Sequence, residues 1–515
     1  MSVRVYNSLT RKKEPFEPLH PPQVNMYTCG VTVYDECHIG HARSLYIFDV
    51  IRRYLEYRGY NVHHVRNITD IDDKIIKRAN ELKVPWDELV TKYIESYYQD
   101  LAALGLQKGI LDGSEEPRAT KNITEIITLI QGLLDKGYGY ATDTGVYFSV
   151  RKFSAYGKLS GQSIEQMLTG TRKEADETKR DPLDFALWKK SKPGEPFWPS
   201  PWGEGRPGWH IECSAMSLKY LKTATLDIHA GGRDLIFPHH ENEIAQSEAW
   251  TGKPFANYWM HHGLLTINAQ KMSKSLGNFI TIKDFLKKEG SFAKLKLFFL
   301  SAHYQSPIDY TKEAMHIAAE NMDTFSVFFH ELKHEQYDVV NMEIVKECEH
   351  LKVKFIEALD DDFNTPVALS ILLEMVSEGH KHIAKHQIDK AKSIAKRLEE
   401  LLKVLNLSEV KEIAQSGVGV DEEVNMLFVL QSQFNAEANN CNIKPVAPNY
   451  KLGDEIERRR SMIEDFFIPL RNVARGKKNF ALADKIRREL ETLSPRVCIK
   501  LEDKKEVTQW RSKIL

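Results

Sequence analysis

The 515-residue chain predicts an α/β protein. A Rossmann-like parallel-sheet domain carrying an insertion comes first, then an α-helical bundle and a small C-terminal domain. Three observations carry this. The first half alternates short β-branched or aromatic runs with longer amphipathic stretches, the pattern of parallel strands joined by crossover helices. From about Asp112 to Pro207 that alternation is interrupted by a charged stretch (Thr171 to Asp181) and a Pro/Trp/Gly-rich one (Lys192 to Pro207). Beyond about Phe292 long helical periodicities take over.

Met26 to Val33 reads as the first strand of the sheet. His41 to Tyr57 reads as a helix, with Leu45, Phe48, Ile51, Tyr54 and Leu55 near one face. Asn61 to Asn67 reads as the next strand, and further strands are expected at Val146–Ser149, Leu226–His229 and Tyr258–Leu265. Helices are expected over Glu313–Leu332, Asn341–Leu359, Pro366–His382 and Ile388–Leu405, and together they make a bundle. A polar stretch with Asn and Pro, Ala436 to Gly453, reads as a linker. A chain of this length exceeds one core. The expected division is residues 1–111 with 206–292 for the sheet domain, 112–205 for the insertion, 293–435 for the helical region, 436–453 for the linker and 454–515 for the last domain.

The totals exclude more than they select. Lys and Arg number 71 against 72 Asp and Glu, so overall charge argues for no nucleic-acid partner, and such contacts must come from local basic faces. Residues 454–515 supply one, with 16 Lys and Arg against 11 Asp and Glu. The six cysteines form no CxxC, which fits a reducing compartment better than a disulfide framework. The first residues carry neither the apolar run of a signal peptide nor the acid-poor composition of a transit peptide, and no 18-residue apolar stretch follows. A cytoplasmic protein without membrane contact is expected.

Two short motifs carry chemistry. His38-Ile39-Gly40-His41 falls where a strand gives way to a helix, and a helix N-terminus offers unpaired N–H groups and the positive end of its dipole to phosphate. Gly40 permits close approach there, and His38 and His41 can donate to phosphate oxygens. Lys271-Met272-Ser273-Lys274-Ser275 adds two cations and two hydroxyls on a loop. Such a loop can close over a triphosphate once nucleotide binds. Alone, the first motif reads equally as surface histidines at a helix cap, and the second as a solvated turn. Together, in this order, they grip one triphosphate from two sides.

The pair resembles the HIGH and KMSKS signatures of the class I aminoacyl-tRNA synthetases. Around it stand Tyr27 to Asp35 (YTCGVTVYD), Val65 to Lys74 (VRNITDIDDK), Gly208 to Met216 (GWHIECSAM), Phe237 to Glu243 (FPHHENE) and Leu359 to Pro366 (LDDDFNTP). These resemble the cysteinyl-tRNA synthetases specifically, from about Val5 past Asn278 and again at Leu359. The resemblance implies ATP-dependent activation of L-cysteine to cysteinyl-adenylate and transfer to the terminal ribose of tRNA(Cys). It implies His38, His41, Lys271 and Lys274 as the catalytic set, and Gly40, Asp234, Ser273 and Lys274 as nucleotide contacts, with Mg2+ accompanying ATP. The basic C-terminal segment is then the tRNA-binding domain. Two departures stand there: Leu501 to Trp510 lacks the glycine usual before the tryptophan, and Leu407 to Gly453 is extended.

By spacing alone Cys29, Cys213, His239 and Glu243 form a plausible zinc set, with His240, Glu241, His261 and His262 as competitors and buried core thiols as the plainer reading of both cysteines. The resemblance selects Cys29, Cys213, His239 and Glu243, one zinc per chain, and implies Thr69 and Trp209 as lining the amino-acid pocket with Cys29. A zinc there has a purpose. Cysteine and serine differ by one atom, which pocket shape discriminates only about 10–200-fold, whereas zinc prefers a thiolate strongly. A monomer is expected. The rival readings are a cysteine-adenylating ligase acting on a small amino-sugar, a silent tRNA-binding protein and a zinc hydrolase. Lys74-Ile75-Ile76-Lys77 also resembles a lysine pair linked in some family members to a pyridoxal-phosphate side activity.

Overall fold

A computed structural model describes residues 2–106, 116–170, 178–273, 276–332, 342–411, 467–492, 497–504 and 507–514. At its centre is a four-stranded parallel sheet of β1 (Gln23–Thr32), β2 (Asn61–Thr69), β3 (Leu226–Gly232) and β4 (Ala256–His262). The strand order is β4-β3-β1-β2. Helix α1 (Ile39–Tyr57) crosses from β1 to β2, and α2 (Asp73–Leu82) follows β2. Helix α3 (Trp209–Leu221) leads into β3, and α4 (Glu241–Thr251) joins β3 to β4. Residues alternate between two cores: Met26, Ile228 and Met260 face one side, and Tyr27, Val65 and Trp259 the other. Every residue of β3 is buried, as expected of a strand covered on both faces.

The strands expected at Met26, Asn61, Leu226 and Tyr258 are therefore those of this sheet. The strand expected at Val146–Ser149 forms at Gly145–Phe148, but in another sheet. It pairs antiparallel with Gly139–Ala141 and Phe185–Lys190, because a tight turn before Gly145 (φ 157°) folds the chain straight back. With Gly205–Pro207 as its fourth strand, this sheet lies with the helices Ile123–Asp135 and Ile164–Gly170 in the stretch expected as the insertion.

After β4 comes a smaller sheet. The hairpin β5 (Leu265–Ile267) and β6 (Gln270–Lys271) is joined in parallel by β7 (Ile308–Tyr310), with α5 (Ile282–Glu289) between. Arg43, wholly buried on α1, fixes where this sheet stands. One terminal nitrogen donates to the carbonyls of Gly263 (2.7 Å) and Leu264 (3.0 Å). The other donates to those of Tyr304 (3.3 Å) and Ser306 (2.7 Å).

Helices α6 (Lys312–Glu331), Met342–Asp360, Thr365–Ala384 and Ile388–Val404 form the bundle close to the expected bounds. The Leu359 to Pro366 motif bolts it to the first half. Asp360 accepts from Tyr54 on α1 (2.7 Å), Asp362 accepts from the Tyr6 amide (2.8 Å) and the Tyr304 hydroxyl (2.9 Å), and Asn364 caps the third helix. Near the end, the helices Ile468–Gly476 and Phe480–Thr492 pack through Leu470, Leu482 and Ile486. The strands Val497–Lys504 and Val507–Ile514 form an antiparallel hairpin in which Trp510 pairs with Leu501. The expected linker, and all but the first residues of the extended Leu407 to Gly453 stretch, lie outside the described residues.

Candidate active site

The sheet's strand order reverses between β1 and β3, and in open parallel sheets ligands bind in the crevice at such a switch point. Cys29 sits there. The pairing of β1 with β2 shifts register between Thr28 and Val31, and in that irregularity the Gly30 amide is satisfied by Asn67 Oδ1 (2.9 Å) instead of a strand partner. A Cβ on Gly30 would lie 1.6 Å from the Asn67 carbonyl oxygen, so only glycine fits.

Three further side chains converge on Cys29. Cys213 stands on the first turns of α3, and His239 and Glu243 are one turn apart at the start of α4. The ligand atoms of Cys29, Cys213, His239 and Glu243 all lie within 4.8 Å of one another. The two sulfurs are 3.8 Å apart, Cys213 Sγ is 3.6 Å from His239 Nε2, Cys29 Sγ is 3.3 Å from Glu243 Oε1, and His239 Nε2 is 2.8 Å from that same oxygen. Apart from half-buried Cys29, all are buried. Burial opposes charge in each, yet the cluster resolves into charged partners. Burial lowers His239, but Glu243 and Cys213 outweigh it and lift the imidazole to about 10. Burial raises Glu243, but His229 and His239 hold it well below the usual range. Cys213, raised by burial, is brought down to about 6 by hydrogen bonds from Cys29 and His239, whereas burial and its neighbours push Cys29 well up.

Cys29 and Glu243 also belong to a second group, with His229 and His240. His229 on β3 bonds Glu243 Oε2 at 2.6 Å and stacks on Trp259, with ring centroids 4.5 Å apart. His240 lies 3.3 Å from Cys29 Sγ and passes its other nitrogen to His261 (2.8 Å), which reaches Ser8. Of the competing ligands, Glu241 faces the insertion, accepting the amides of Gly157 and Ser160, and His262 bonds the Gly263 carbonyl. His229 was missed in the sequence because its strand, LDIHAGG, offers no motif or ligand spacing that sets it apart.

Trp209 is half-buried, not packed in the core: its ring stacks on His239 with centroids 4.1 Å apart. Thr69, buried at the end of β2, donates to Glu212 Oε2 (3.0 Å) and receives from Asn67 (3.3 Å). Lys74 Nζ lies 5.9 Å above Trp209, whereas Lys77 is exposed near Glu81, so the two lysines of that pair serve different surroundings.

Across the crevice, His38 is the N-cap of α1. Its Nδ1 accepts the amides of Gly40 (3.1 Å) and His41 (3.3 Å), and the His38 amide donates back to His41 Nδ1 (3.3 Å). This reciprocal cap explains why the helix begins at Ile39, before the expected His41. Since both Nδ1 atoms accept, the ring protons sit on Nε2, and burial keeps both imidazoles neutral, His38 down at about 4. The Lys271 to Ser275 motif arrives from β6. Met272 Cε would be 3.3 Å from a Cβ on Gly40, and Ile39 and Ile282 exchange backbone bonds with Ile280 and Cys37. Ser273 N donates to Asn278, which donates to the Lys271 carbonyl. Lys274 and Ser275 lie outside the described residues. Asp234 is exposed just past β3, and Gly231 lets the His240 ring pack there, since a Cβ would meet it at 2.8 Å.

This arrangement has known counterparts. Residues 15–320 match the family model of the tRNA synthetases class I (C) catalytic domain, and residues 354–409 match the DALR domain. A cysteine–tRNA ligase of Thermodesulfovibrio yellowstonii is 46% identical over 528 residues, covering 99% of this chain and 100% of the relative. The chain belongs to the cysteine–tRNA ligase family. Members from Geobacter sulfurreducens, covering 100% of both chains, and Thermococcus onnurineus, covering 99% of both, are each 44% identical. Among solved structures, a LeuRS–tRNA–LeuAMS complex from Agrobacterium radiobacter aligns with TM-score 0.57 at 12% identity, over 79% of this chain and 86% of that one. Mycobacterium tuberculosis methionyl-tRNA synthetase bound by methionyl-adenylate aligns at 0.53 and 14%, over 79% and 94%. At those identities the likeness is one of fold.

Proposed function

We propose that this chain activates L-cysteine with Mg-ATP and transfers it to the terminal ribose of tRNA(Cys), with zinc held by Cys29, Cys213, His239 and Glu243. Family membership over the full length carries the reaction. The donor spacing supports the metal. In tetrahedral zinc with Zn–S of about 2.3 Å and Zn–N of about 2.0–2.1 Å, two sulfurs stand about 3.8 Å apart and a sulfur–nitrogen pair about 3.6 Å. The Cys29–Cys213 and Cys213–His239 separations are 3.8 and 3.6 Å. His229, bonded to the far oxygen of Glu243, orients that ligand, and Trp209 covers His239. Bound zinc supplies a soft Lewis acid that keeps a substrate thiolate and holds a hydroxyl poorly.

The chain's own groups do the rest. In-line attack of the cysteine carboxylate on the α-phosphorus releases pyrophosphate. His38 and His41 offer neutral Nε2–H donors at the helix N-terminus, while Lys271 and Lys274 bring cations from the opposite loop. Gly40 leaves room for close approach, Ser273 and Asp234 contact the nucleotide, and Thr69 with Trp209 lines the amino-acid pocket. The 2′-hydroxyl of the terminal adenosine then attacks the activated carbonyl, breaking the acyl–phosphate bond and releasing AMP. The bundle and the segment 454–515 bind tRNA, with the domain division expected from the sequence, Mg2+ with the nucleotide, a monomer and a cytoplasmic setting part of the same proposal. Among the described residues no helix is long and apolar enough to cross a membrane.

Cysteine-dependent ATP–pyrophosphate exchange, compared with serine and followed by tRNA charging, tests the reading. Exchange and charging with cysteine alone are expected. Exchange without charging would indicate the small-molecule ligase, and no exchange would overturn the proposal.

A further inference from the structure

Ile267 pairs with Gln270, so Asn268 and Ala269 alone form the turn of the β5–β6 hairpin. Both have left-handed backbone, φ 50° and 61°. Two-residue hairpins of this type want Asn followed by Gly, because only glycine takes the second position without a Cβ penalty. Asn268 suits its place. Ala269 does not, and the turn is held from outside.

Asp309 holds it. Both of its carboxylate oxygens accept the Ala269 amide at 2.9 Å, and one also accepts the Thr266 hydroxyl at 2.6 Å. Asp309 stands on β7, in register with Thr266, and β7 runs through the Thr311 cap into α6. Lys271 lies two residues beyond Ala269, and Met272 packs toward Gly40. A turn that relaxed would shift the hairpin, and with it Lys271, relative to His38 and His41.

We propose that Asp309 is a positioning residue for ATP: its carboxylate holds the Asn268–Ala269 turn in its unfavourable conformation, so that Lys271 is presented to the phosphates. The inference rests on Lys271 being a nucleotide contact, as proposed above. It also makes the geometry of the nucleotide loop depend on the strand that opens the helical half.

The test compares parent, D309A, D309N, A269G, D309A/A269G and K271A in pyrophosphate exchange, titrating ATP and cysteine separately and measuring bound zinc. Asp309→Ala is expected to raise KM for ATP about 10-fold, with KM for cysteine and zinc content unchanged. Asp309→Asn, which keeps one acceptor oxygen, is expected to raise it about 3-fold and guards against a misfolded alanine variant. Glycine at 269 takes the left-handed turn unaided, so the double variant is expected to return to within about 2-fold of the parent. A double variant no better than D309A, or a D309A variant that loses cysteine affinity and zinc equally, would overturn the inference. If D309A is silent while K271A raises KM for ATP, this inference alone fails. If K271A is silent too, the nucleotide reading of Lys271 fails with it.

Discussion

The proposed metal cluster and the proposed nucleotide seat are built by opposite means. Cys29, Cys213, His239 and Glu243 project from a strand and two helices, almost wholly buried, with each imidazole and carboxylate tied to a further partner. The proposed nucleotide groups come from a helix cap on one side and an exposed hairpin on the other. They meet through Met272 against Gly40 and two backbone bonds. A site that must reject serine gains from ligands fixed before substrate arrives, because any slack erodes discrimination. A site that must admit ATP and release pyrophosphate needs one side able to move. On the proposed reading, selection falls to the buried cluster and turnover to the exposed hairpin.

Substitutions that separate the halves sharpen this contrast. The largest effect is expected from Cys213→Ser: zinc retained after gel filtration should be lost, and cysteine-dependent exchange should fall more than about 100-fold. Lys271→Ala should lower exchange by roughly 100-fold while zinc content and cysteine binding stay at parent level. A Lys271 variant that lost its metal would break the separation outright. His229→Gln should weaken zinc about 10-fold in competition with a chelator, since it removes a support and not a ligand. The smallest effect tests the scaffold behind the His38 cap, where Asp100, on the helix Trp86–Ala103, lies near Cys37. Burial raises Asp100 to about 7, with Lys283 lowering it and Glu36 raising it. Its folded value lies above its unfolded one, so the stability it contributes is full below about pH 4 and lost as pH rises through 7. Asp100→Asn should raise Tm by roughly 1–3 °C at pH 8, and the gain should shrink toward pH 5.

Much of this was legible beforehand, for reasons that differ from place to place. The sheet strands declare themselves by apolar runs, the bundle helices by periodicity, and the two signatures by their order. Glu241 and His262 could not be separated from true ligand candidates by spacing, because only the fold shows that one faces the insertion and the other bonds a carbonyl. The supports were hidden altogether. His229 shares the strand LDIHAGG with Asp227 and nothing in that pattern marks it as a support, and Asn67 is informative only once the strand irregularity at Gly30 is known. The Val146 strand was visible as a strand, but the pattern could not show that its partner is a hairpin neighbour and not the central sheet.

Arg43 sits two residues past His41, and every acceptor it uses is a main-chain oxygen. A surface ion pair lost by one substitution can be regained by another, since a side chain of opposite sign can be supplied elsewhere. Carbonyls are the same whatever the side chains, so no second substitution can answer the loss of this guanidinium. Lysine would keep the charge without the planar fork that reaches two segments at once. Suppressor searches begun from a damaged Arg43 should therefore return only true revertants, whereas those begun from Asp309 have an outlet at Ala269.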